Sequence, residues 1–429
     1  MRTYGIGDKS VTAAKLGYAP DSTVIVQRGA TDIISAANLR AAYTAAKALT
    51  PGGAPVGNGF HVTGDISPDL TGYFFENGTY GGLPAYERQD GGAWLWFDGD
   101  YYCLTQGKGD AVDGTFVNID ATVVPGSYSA TPDYSGSSTV TAFTNRAAVI
   151  IPTGIYDFGL GDVADDNHGL EVDAECVDLI GETGQREDVV LTSAIATASR
   201  GTVEQTADDV KLRGFTMEIT SASSDGTLGT EASAYFPDTA LANAELTDIE
   251  CKSTNSGVKS MRTHIEYAGT TVGGNTGGYT NVKSGDNSFG RGGTASGTFT
   301  DCTGGLGSFG GNCGTASGTF TDCTGGTFSF GEAASGTFID CTGDTGSFGG
   351  GMDGIVDAGA VFIRCHGSGV AARIYAGTVR DCYDDSWERF DNGTTAHISN
   401  AAENLADVMT KFNTLLSQLE SYGILAASQ

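Results

Sequence analysis

Clusters of carboxylate side chains are the first residues in this 429-residue chain whose types and spacing could do chemistry. The loop-like segment "DVADDNHG" contains Asp165 and Asp166, and the segment "DDSWERFD" contains Asp384, Asp385 and Glu388. Two carboxyl groups about 5 to 10 Å apart can cleave a glycosidic bond, one as acid and the other as base or nucleophile. These five residues are the candidates for a catalytic pair, and the ordinary alternative is that both segments are solvated loops.

A second group of residues could bind sugars without cleaving them. Aromatic side chains crowd the stretch "GYFFENGTYGGLPAYERQDGGAWLWFDGDYYCLT", in which strand-like runs alternate with turn-like runs. Flat aromatic faces with polar groups beside them suit saccharide binding. The candidate ligand-binding residues are Tyr73, Tyr80, Tyr86, Trp94, Trp96 and Tyr101. The alternative is that these rings form the segment's own small core.

Other catalytic patterns are missing from the sequence. It contains no GxSxG, HExxH, P-loop or calcium-binding nonapeptide, and no CxxC pair that would indicate zinc. Lyase chemistry would use Arg or Lys bases beside a Ca²⁺ cluster, and the 23 basic residues are scattered. The sequence therefore predicts no cofactor and no metal site, and it favours a binding protein over an enzyme.

The composition restricts the partners that the chain can have. Its net charge of −29 disfavours nucleic acid and anionic membrane surfaces, because like charges repel. No apolar run reaches the length of a membrane span, so membrane insertion is not expected. The opening "MRTYGIGDKSV" lacks the apolar core of a secretory signal, which predicts a route other than Sec export.

One short phrase recurs through the second half of the chain. "SGTFTDCTGG" occurs at Ser296 and again at Ser317, "SGTFIDCTGD" follows at Ser335, and looser copies begin at Gly359 and Gly377. The cysteines of these copies, at positions 302, 323, 341, 365 and 382, are separated by 21, 18, 24 and 17 residues. Repeats of this length and irregularity predict a β-helix, whose corner loops vary while its strands stack.

The repeated phrase also predicts how each coil is built. Strict alternation would place Phe299 and Cys302 on opposite faces, so we expect a bend at Asp301 that turns both side chains inward. The equivalent residues Asp322, Asp340 and Asp381 would form the same corner as Asx-type turns. The five cysteines are expected to form a buried column of free thiols, with disulfides or a metal site as alternatives.

The remaining segments are assigned around this solenoid. Residues 1–31 are predicted to be an attachment arm, and residues 32–55 a capping helix that Ser35 begins and that covers the open end of the stack. Residues 56–141 are predicted to be an inserted, aromatic-rich β-meander, and residues 142–386 the parallel β-helix.

Residues 387–429 are predicted to be a linker followed by a trimerising helix. Apolar side chains recur there with a heptad spacing of four and three. The predicted seam consists of Ala401, Leu405, Val408, Phe412, Leu415 and Leu419. The alternative is a helix that packs back onto the solenoid.

The stretch "AAVIIPTGIYDFG" and the F-x-D-C corners are similar to those of pectate-lyase-like right-handed parallel β-helices. The order of arm, capping helix, β-helix and oligomerising tail resembles a bacteriophage tailspike or tail-fibre protein. The fold class expected is therefore an all-β solenoid, a right-handed parallel β-helix with the additions described above.

This resemblance implies a structural, glycan-binding appendage of a phage or phage-like particle. It would be a homotrimer that joins other particle proteins through residues 1–31 and binds a host-surface polysaccharide. It would be assembled in the host cytoplasm and act outside the cell as part of the virion. The alternatives are a polysaccharide-degrading β-helix enzyme, either glycoside hydrolase or lyase, and a non-viral, self-assembling surface protein.

Overall fold

The structure is a computed structural model of the chain. It describes residues 20–50, 55–109, 116–118, 126–130, 135–161, 168–195, 200–220, 233–237, 241, 243–253, 278–285, 289, 294–311, 314–331, 333–348, 355–356, 359–367, 378–383 and 389–390. The chain divides into two compact units. The first unit consists of Met1–Ala194, Thr202–Met217 and Asn243–Ile249, and the second unit contains the rest.

The first unit opens with a short strand and one helix. Strand β1 (Ser22–Ile25) pairs in parallel with Ala147–Ile150, so this part of the predicted arm is a coil of the solenoid. Helix α1 (Asp32–Lys47) buries Leu39, Tyr43 and Ala46, and it is shorter than the predicted 32–55. These three residues share one side of a helix because they are spaced by four and three.

The helix begins one turn earlier than the sequence indicated. Thr31, not Ser35, is its N-cap, because the Thr31 hydroxyl accepts a hydrogen bond from the Ile34 amide at 3.2 Å. The Ser35 hydroxyl is buried and donates to the Thr31 carbonyl at 2.9 Å. Ser35 therefore supports the first turn from inside and does not cap it.

Parallel strands form the solenoid part of the first unit. The strands are β10 (Ala147–Ile151), β11 (Gly154–Asp157), β12 (Leu170–Val172), β13 (Val177–Gly181), β14 (Val189–Ser193), β15 (Gly201–Gln205), β16 (Lys211–Ile219) and β18 (Glu245–Ser253). Strand β10 pairs with β13, β11 with β14, and β12 with β15, all in parallel. The Arg146 guanidinium forms two hydrogen bonds with the fully buried Asp178 carboxylate and so neutralises it.

A closed antiparallel barrel is inserted between β1 and β10. Its strands are β2 (Gly57–Gly64), β3 (Gly72–Tyr80), β4 (Leu83–Arg88), β5 (Trp94–Phe97), β6 (Tyr102–Thr105), β7 (Phe116–Asn118), β8 (Gly126–Ala130) and β9 (Ser137–Asn145). Strand β2 pairs with both β3 and β9, which closes the sheet on itself. The sequence predicted a β-meander and not a closed barrel. The local sequence pattern does not show that the first strand pairs with the last.

The second unit repeats one coil with little change. Its strands are β17 (Ser233–Pro237), β19 (Gly278–Thr280), β20 (Thr294–Ala295), β21 (Thr298–Thr300), β22 (Thr315–Ala316), β23 (Thr319–Thr321), β24 (Ala333–Ala334), β25 (Thr337–Ile339), β26 (Thr342–Gly343), β27 (Ile355–Val356), β28 (Val361–Ile363), β29 (His366–Gly367), β30 (Thr378–Arg380), β31 (Cys382–Tyr383) and β32 (Arg389–Phe390). Strands β19, β21, β23, β25, β28 and β30 stack in parallel, and so do β20, β22, β24 and β27. Only the β31–β32 pair is antiparallel among the described pairs of this unit.

Stacked aromatic rings fill the interior of the second unit. One column consists of Tyr279, Phe299, Phe320, Phe338 and Phe362, with ring centroids 4.8 to 4.9 Å apart and ring planes within 5° of parallel. A second column, Phe289, Phe309, Phe330 and Phe348, meets the first edge to face. Each such ring contact adds about 0.5 to 1.5 kcal/mol beyond the burial of area.

The bend predicted in each coil is present. Asp301, Asp322 and Asp340 have φ of 53° to 54°, in the left-handed region that aspartate tolerates better than most residues. Phe299 and Cys302, on either side of the bend, are both buried, which confirms the inward orientation of both. Arg364 takes the same conformation in the next coil, and its guanidinium pairs with the Asp340 carboxylate.

The five repeat cysteines are buried and free of disulfides, as predicted. Each thiol from Cys302 to Cys365 donates to the carbonyl of the aromatic residue one coil earlier, at 3.3 to 3.5 Å. Burial raises the pKa of the Cys302 thiol. Together the strand pairing and this interior confirm an all-β solenoid; the predicted trimerising seam from Ala401 to Leu419 lies outside the described residues.

The buried thiols generate the first prediction. Native protein should react slowly with a bulky maleimide at Cys302, Cys323, Cys341, Cys365 and Cys382, because the thiols are buried and inaccessible to the reagent. All five should react once the chain is unfolded in denaturant. Peptide mass spectrometry after timed labelling measures both states, and rapid native labelling of the three central thiols would contradict the buried column.

Candidate functional site

The barrel keeps its interior for its own core. Phe74, Leu95, Tyr102 and Leu104 are all buried there, and Tyr86 packs against the same cluster. The ring of Tyr86 meets Phe60 edge to face, and burial raises the pKa of Tyr86 to about 12. Tyr86, a predicted ligand-binding residue, therefore belongs to the core, and a ligand of the barrel must bind to its outer face.

Alternation along β5 places Trp94 and Trp96 together on that outer face, opposite Leu95. Trp96 is only 2% exposed, and its indole N–H donates to the Thr105 hydroxyl at 2.7 Å. Its ring supports Tyr80 edge to face, with centroids 4.8 Å apart. Trp96 thus has no free face for a ligand, which corrects its assignment as a stacking residue.

Tyr80 and Trp94 form the accessible part of this group. Tyr80 is 39% exposed, and Trp94 is half-buried against the buried Trp96. The Lys108 ammonium lies 4.4 Å from the centre of the Trp94 ring, a cation–π contact. We call Tyr80, Trp94, Trp96 and Lys108 the tryptophan cluster.

Polar groups surround the tryptophan cluster. The Lys108 ammonium donates to the Asn77 carbonyl at 3.3 Å, and the Asn77 amide donates to the Glu87 carboxylate at 2.5 Å. Both Asn77 and Lys108 are exposed. An exposed ring with an amide, a carboxylate and an ammonium beside it can contact both the C–H face and the hydroxyls of a sugar.

A second outer group of rings was not foreseen in full. Tyr73 stacks on His61 with centroids 4.3 Å apart, and Phe143 meets both Tyr73 and Phe75 edge to face. Phe143 lies about 70 residues along the chain from Tyr73 and Phe75, and the pairing of β9 with β2 brings it there. Alternation in "TVTAFT" is the signal that could have indicated it.

The remaining aromatic candidate, Tyr101, lies in the turn between β5 and β6. It is 42% exposed, and its amide donates to the Asp98 carboxylate at 2.7 Å. The structure therefore groups Tyr80, Trp94 and Trp96, and it places Tyr73, Tyr86 and Tyr101 elsewhere on the barrel.

One carboxyl group of the first unit has an unusual environment. Partial desolvation, with the negative charges of Asp209, Asp208 and Glu76, raises the pKa of Glu175 to about 7, although the residue as a whole is exposed. A carboxyl that keeps its proton near neutral pH can act as a general acid. Sequence reasoning missed Glu175 because its neighbours come from separate segments.

The predicted catalytic candidates cannot be placed in the same way. Asp165, Asp166, Asp384, Asp385 and Glu388 lie outside the described residues, and so does the whole predicted seam from Ala401 to Leu419. Within the described part of the chain, no group of three or more His, Cys, Asp or Glu side chains could hold a metal ion. No helix there is long and apolar enough to cross a membrane.

Comparison with solved structures finds pectin methylesterases. One in complex with a hexasaccharide has a TM-score of 0.34 at 13% identity, covering 60% of this chain and 91% of that chain. The enzymes from Erwinia chrysanthemi and Aspergillus niger have TM-scores of 0.29 and 0.32, at 12% and 14% identity, each covering 59% of this chain and 83% of its own. No family model and no curated protein sequence matches the chain. Similarity this distant concerns the fold alone.

The raised pKa of Glu175 generates the second prediction. Its carboxyl is protonated below about pH 4.5 in both folded and unfolded chains, and it ionises in the folded state only near pH 7. Wild type should therefore lose stability relative to Glu175→Gln as pH rises from 4.5 to 7, by about 1 kcal/mol after solvent screening. Denaturant unfolding followed by circular dichroism at each pH measures the difference.

The control is Glu187→Gln, which removes one negative charge from an exposed side chain of the same unit. Its stability should run parallel to wild type across this range. Equal stability of Glu175→Gln and wild type at pH 4 and at pH 8 would show that the Glu175 carboxyl titrates normally.

Proposed function

We propose that the protein binds a surface polysaccharide through the tryptophan cluster on the outer face of its barrel. The observation that carries this proposal is the contrast between the two faces of the barrel wall. The inner face is closed by the barrel's own core, while the outer face displays Tyr80 and Trp94 beside Asn77, Glu87 and Lys108.

The chemistry of the cluster favours a sugar over a purely apolar ligand. Tyr80 is held on edge by the buried Trp96, so its exposed side is presented without the cost of ordering a flexible side chain. Hydrogen-bonding groups stand at the rim of the rings, where sugar hydroxyls would lie. The net charge of −29 favours neutral over polyanionic glycans.

The setting of this binding is a further part of the proposal. The order of segments supports a tail appendage of a phage or phage-like particle, attached through the N-terminal arm and assembled as a homotrimer. Residues 22–25 pair within the solenoid, which leaves the residues before them for attachment. Host-surface polysaccharide is the ligand that this role requires.

A second candidate function is cleavage of the polysaccharide. The observation that favours it is Glu175, whose raised pKa and neighbouring carboxylates Asp208 and Asp209 resemble the acid of a glycoside hydrolase pair.

The third prediction concerns glycan binding. Tyr80→Ala and Trp94→Ala should each weaken binding to a polysaccharide selected on a glycan array by about 1 to 3 kcal/mol, because each removes part of the exposed aromatic surface of the cluster. Trp96→Phe serves as the comparison, since it removes the buried hydrogen bond to Thr105 and mainly lowers stability. Titration calorimetry and thermal unfolding separate the two effects.

Two results would decide against the proposal. Unchanged affinity in Tyr80→Ala and Trp94→Ala, with the fold intact, would remove the tryptophan cluster from recognition. Release of reducing ends from the bound glycan, lost in Glu175→Gln, would favour the second candidate function instead.

The fourth prediction concerns assembly. Deleting residues 399–429, or changing Leu405 and Phe412 to Asp, should lower the solution mass from three chains to one, because the heptad seam would be lost. Light scattering measures the mass directly. A mass of three chains after the deletion would show that another part of the protein holds the trimer.

A further inference from the structure

Three sister coils of the second unit act as internal controls for one another. The segments 302–311, 323–332 and 341–350 read "CTGGLGSFGG", "CTGGTFSFGE" and "CTGDTGSFGG". The residues that build the interior are identical in all three, namely the cysteine, the serine and the phenylalanine that follows the serine. Differences at the other positions are therefore not required by the fold.

Phe328 is the largest of these differences. The equivalent residues are Gly307 and Gly346, and the hydrogen bonds from the Gly307 amide to Thr327 and from the Phe328 amide to Thr345 fix this register. All three residues have left-handed φ, at 66°, 56° and 72°. Glycine adopts this conformation freely, whereas a bulky residue pays about 1 to 3 kcal/mol.

The Phe328 ring is not buried in the core, so core packing does not offset this backbone strain. It is 45% exposed and lies over Gly346, where a Cβ atom would come within 2.5 Å of the ring. Phe309, Phe330 and Phe348 also have left-handed φ, but their rings are buried in a stack. Phe328 alone among these four turns its ring outward.

Hydrogen-bonding groups lie beside the ring. The Asp344 carboxylate accepts from the Thr327 hydroxyl at 3.2 Å and from the Thr345 amide at 2.7 Å. The hydrogen bond from the Thr345 amide lowers the pKa of Asp344 most, and the bond from the Thr327 hydroxyl adds to it. The carboxylate is therefore ionised, and its residue is exposed. Asp344 is also a departure from the repeat, since both sister coils have glycine there.

We propose that Phe328, Thr327 and Asp344 form a second saccharide-binding site, on the corner of the solenoid. The C–H face of one sugar ring would stack on the free side of Phe328, and its hydroxyls would donate to Asp344. The carboxylate and the net charge of −29 select an uncharged sugar residue over a uronate. The inference shares its ligand class with the proposed function, and its residues all belong to the second unit.

The repeat supplies the variants that test this site. Phe328→Gly and Asp344→Gly each install the residue that the sister coils already carry, so the coil should fold with both. Leu306→Thr, also a change to a sister residue, removes another exposed apolar side chain, which is 43% exposed, and serves as the control. Phe328→Gly should unfold at a higher temperature than wild type, because left-handed strain is relieved.

Binding is measured on the full chain by saturation-transfer NMR and titration with cellohexaose, maltohexaose and mannohexaose, with hexagalacturonate as the charged comparison. We expect at least one neutral oligosaccharide to bind, and Phe328→Gly and Asp344→Gly to weaken it about tenfold, while Leu306→Thr leaves it unchanged. Tyr80→Ala is measured in parallel, so that loss of the barrel site and loss of the Phe328 site are distinguished.

Three outcomes would overturn the inference. The first is that no neutral oligosaccharide binds the wild-type chain, and the second is that Phe328→Gly binds as well as wild type. The third is that Phe328→Gly lowers the mass in sedimentation without changing sugar binding, which would make this corner a contact between copies of the chain. If Tyr80→Ala has no effect while Phe328→Gly does, the proposed barrel site fails and the solenoid site stands.

Discussion

The left-handed residue between two inward side chains is the constraint on which the repeated coils depend. A flat strand would send the phenylalanine and the cysteine of each phrase to opposite faces. The single residue at φ near 53° turns the chain so that both enter the interior. Parallel pairing then repeats the same geometry in each coil, and rings stack on rings at 4.8 to 4.9 Å. The interior columns are thus a consequence of one backbone conformation used once per coil.

This dependence explains what the sequence could predict. The repeat, its coil length and the bend at Asp301 are local properties. Because the phrase occurs five times in the chain, they can be predicted from the sequence. The structural role of "SFG" could be predicted only in part. Its serine is buried, and in the three sister coils the hydroxyl donates to a glycine carbonyl of the preceding coil, while its phenylalanine forms the second ring column. Both depend on the neighbouring coil, which no single phrase contains.

The barrel was harder to predict because its decisive contacts are non-local. Strand β2 meets β9 about 80 residues later, and only this pairing closes the sheet and creates an inside and an outside. Alternation correctly placed Trp94 and Trp96 on one face, but it could not say that Trp96 would be covered. The candidate site was therefore predictable as a region and not residue by residue. Tyr86 packs against the core and Trp96 supports the ring of Tyr80. Lys108 belongs to the tryptophan cluster although the sequence did not indicate it.

The same constraint distinguishes the residues that the repeated coil requires from those that it does not require. In the sister coils the buried cysteine, serine and following phenylalanine repeat, whereas the left-handed corner at 307, 328 and 346 holds glycine, phenylalanine and glycine. The buried Phe309 and Phe330 offset the cost of a left-handed φ through ring stacking on both neighbours. Phe328 lies over Gly346, is 45% exposed and belongs to neither ring column, so ring stacking in these columns does not offset its cost of about 1 to 3 kcal/mol. The saccharide contact proposed for Phe328 would supply the stabilisation that its own coil does not.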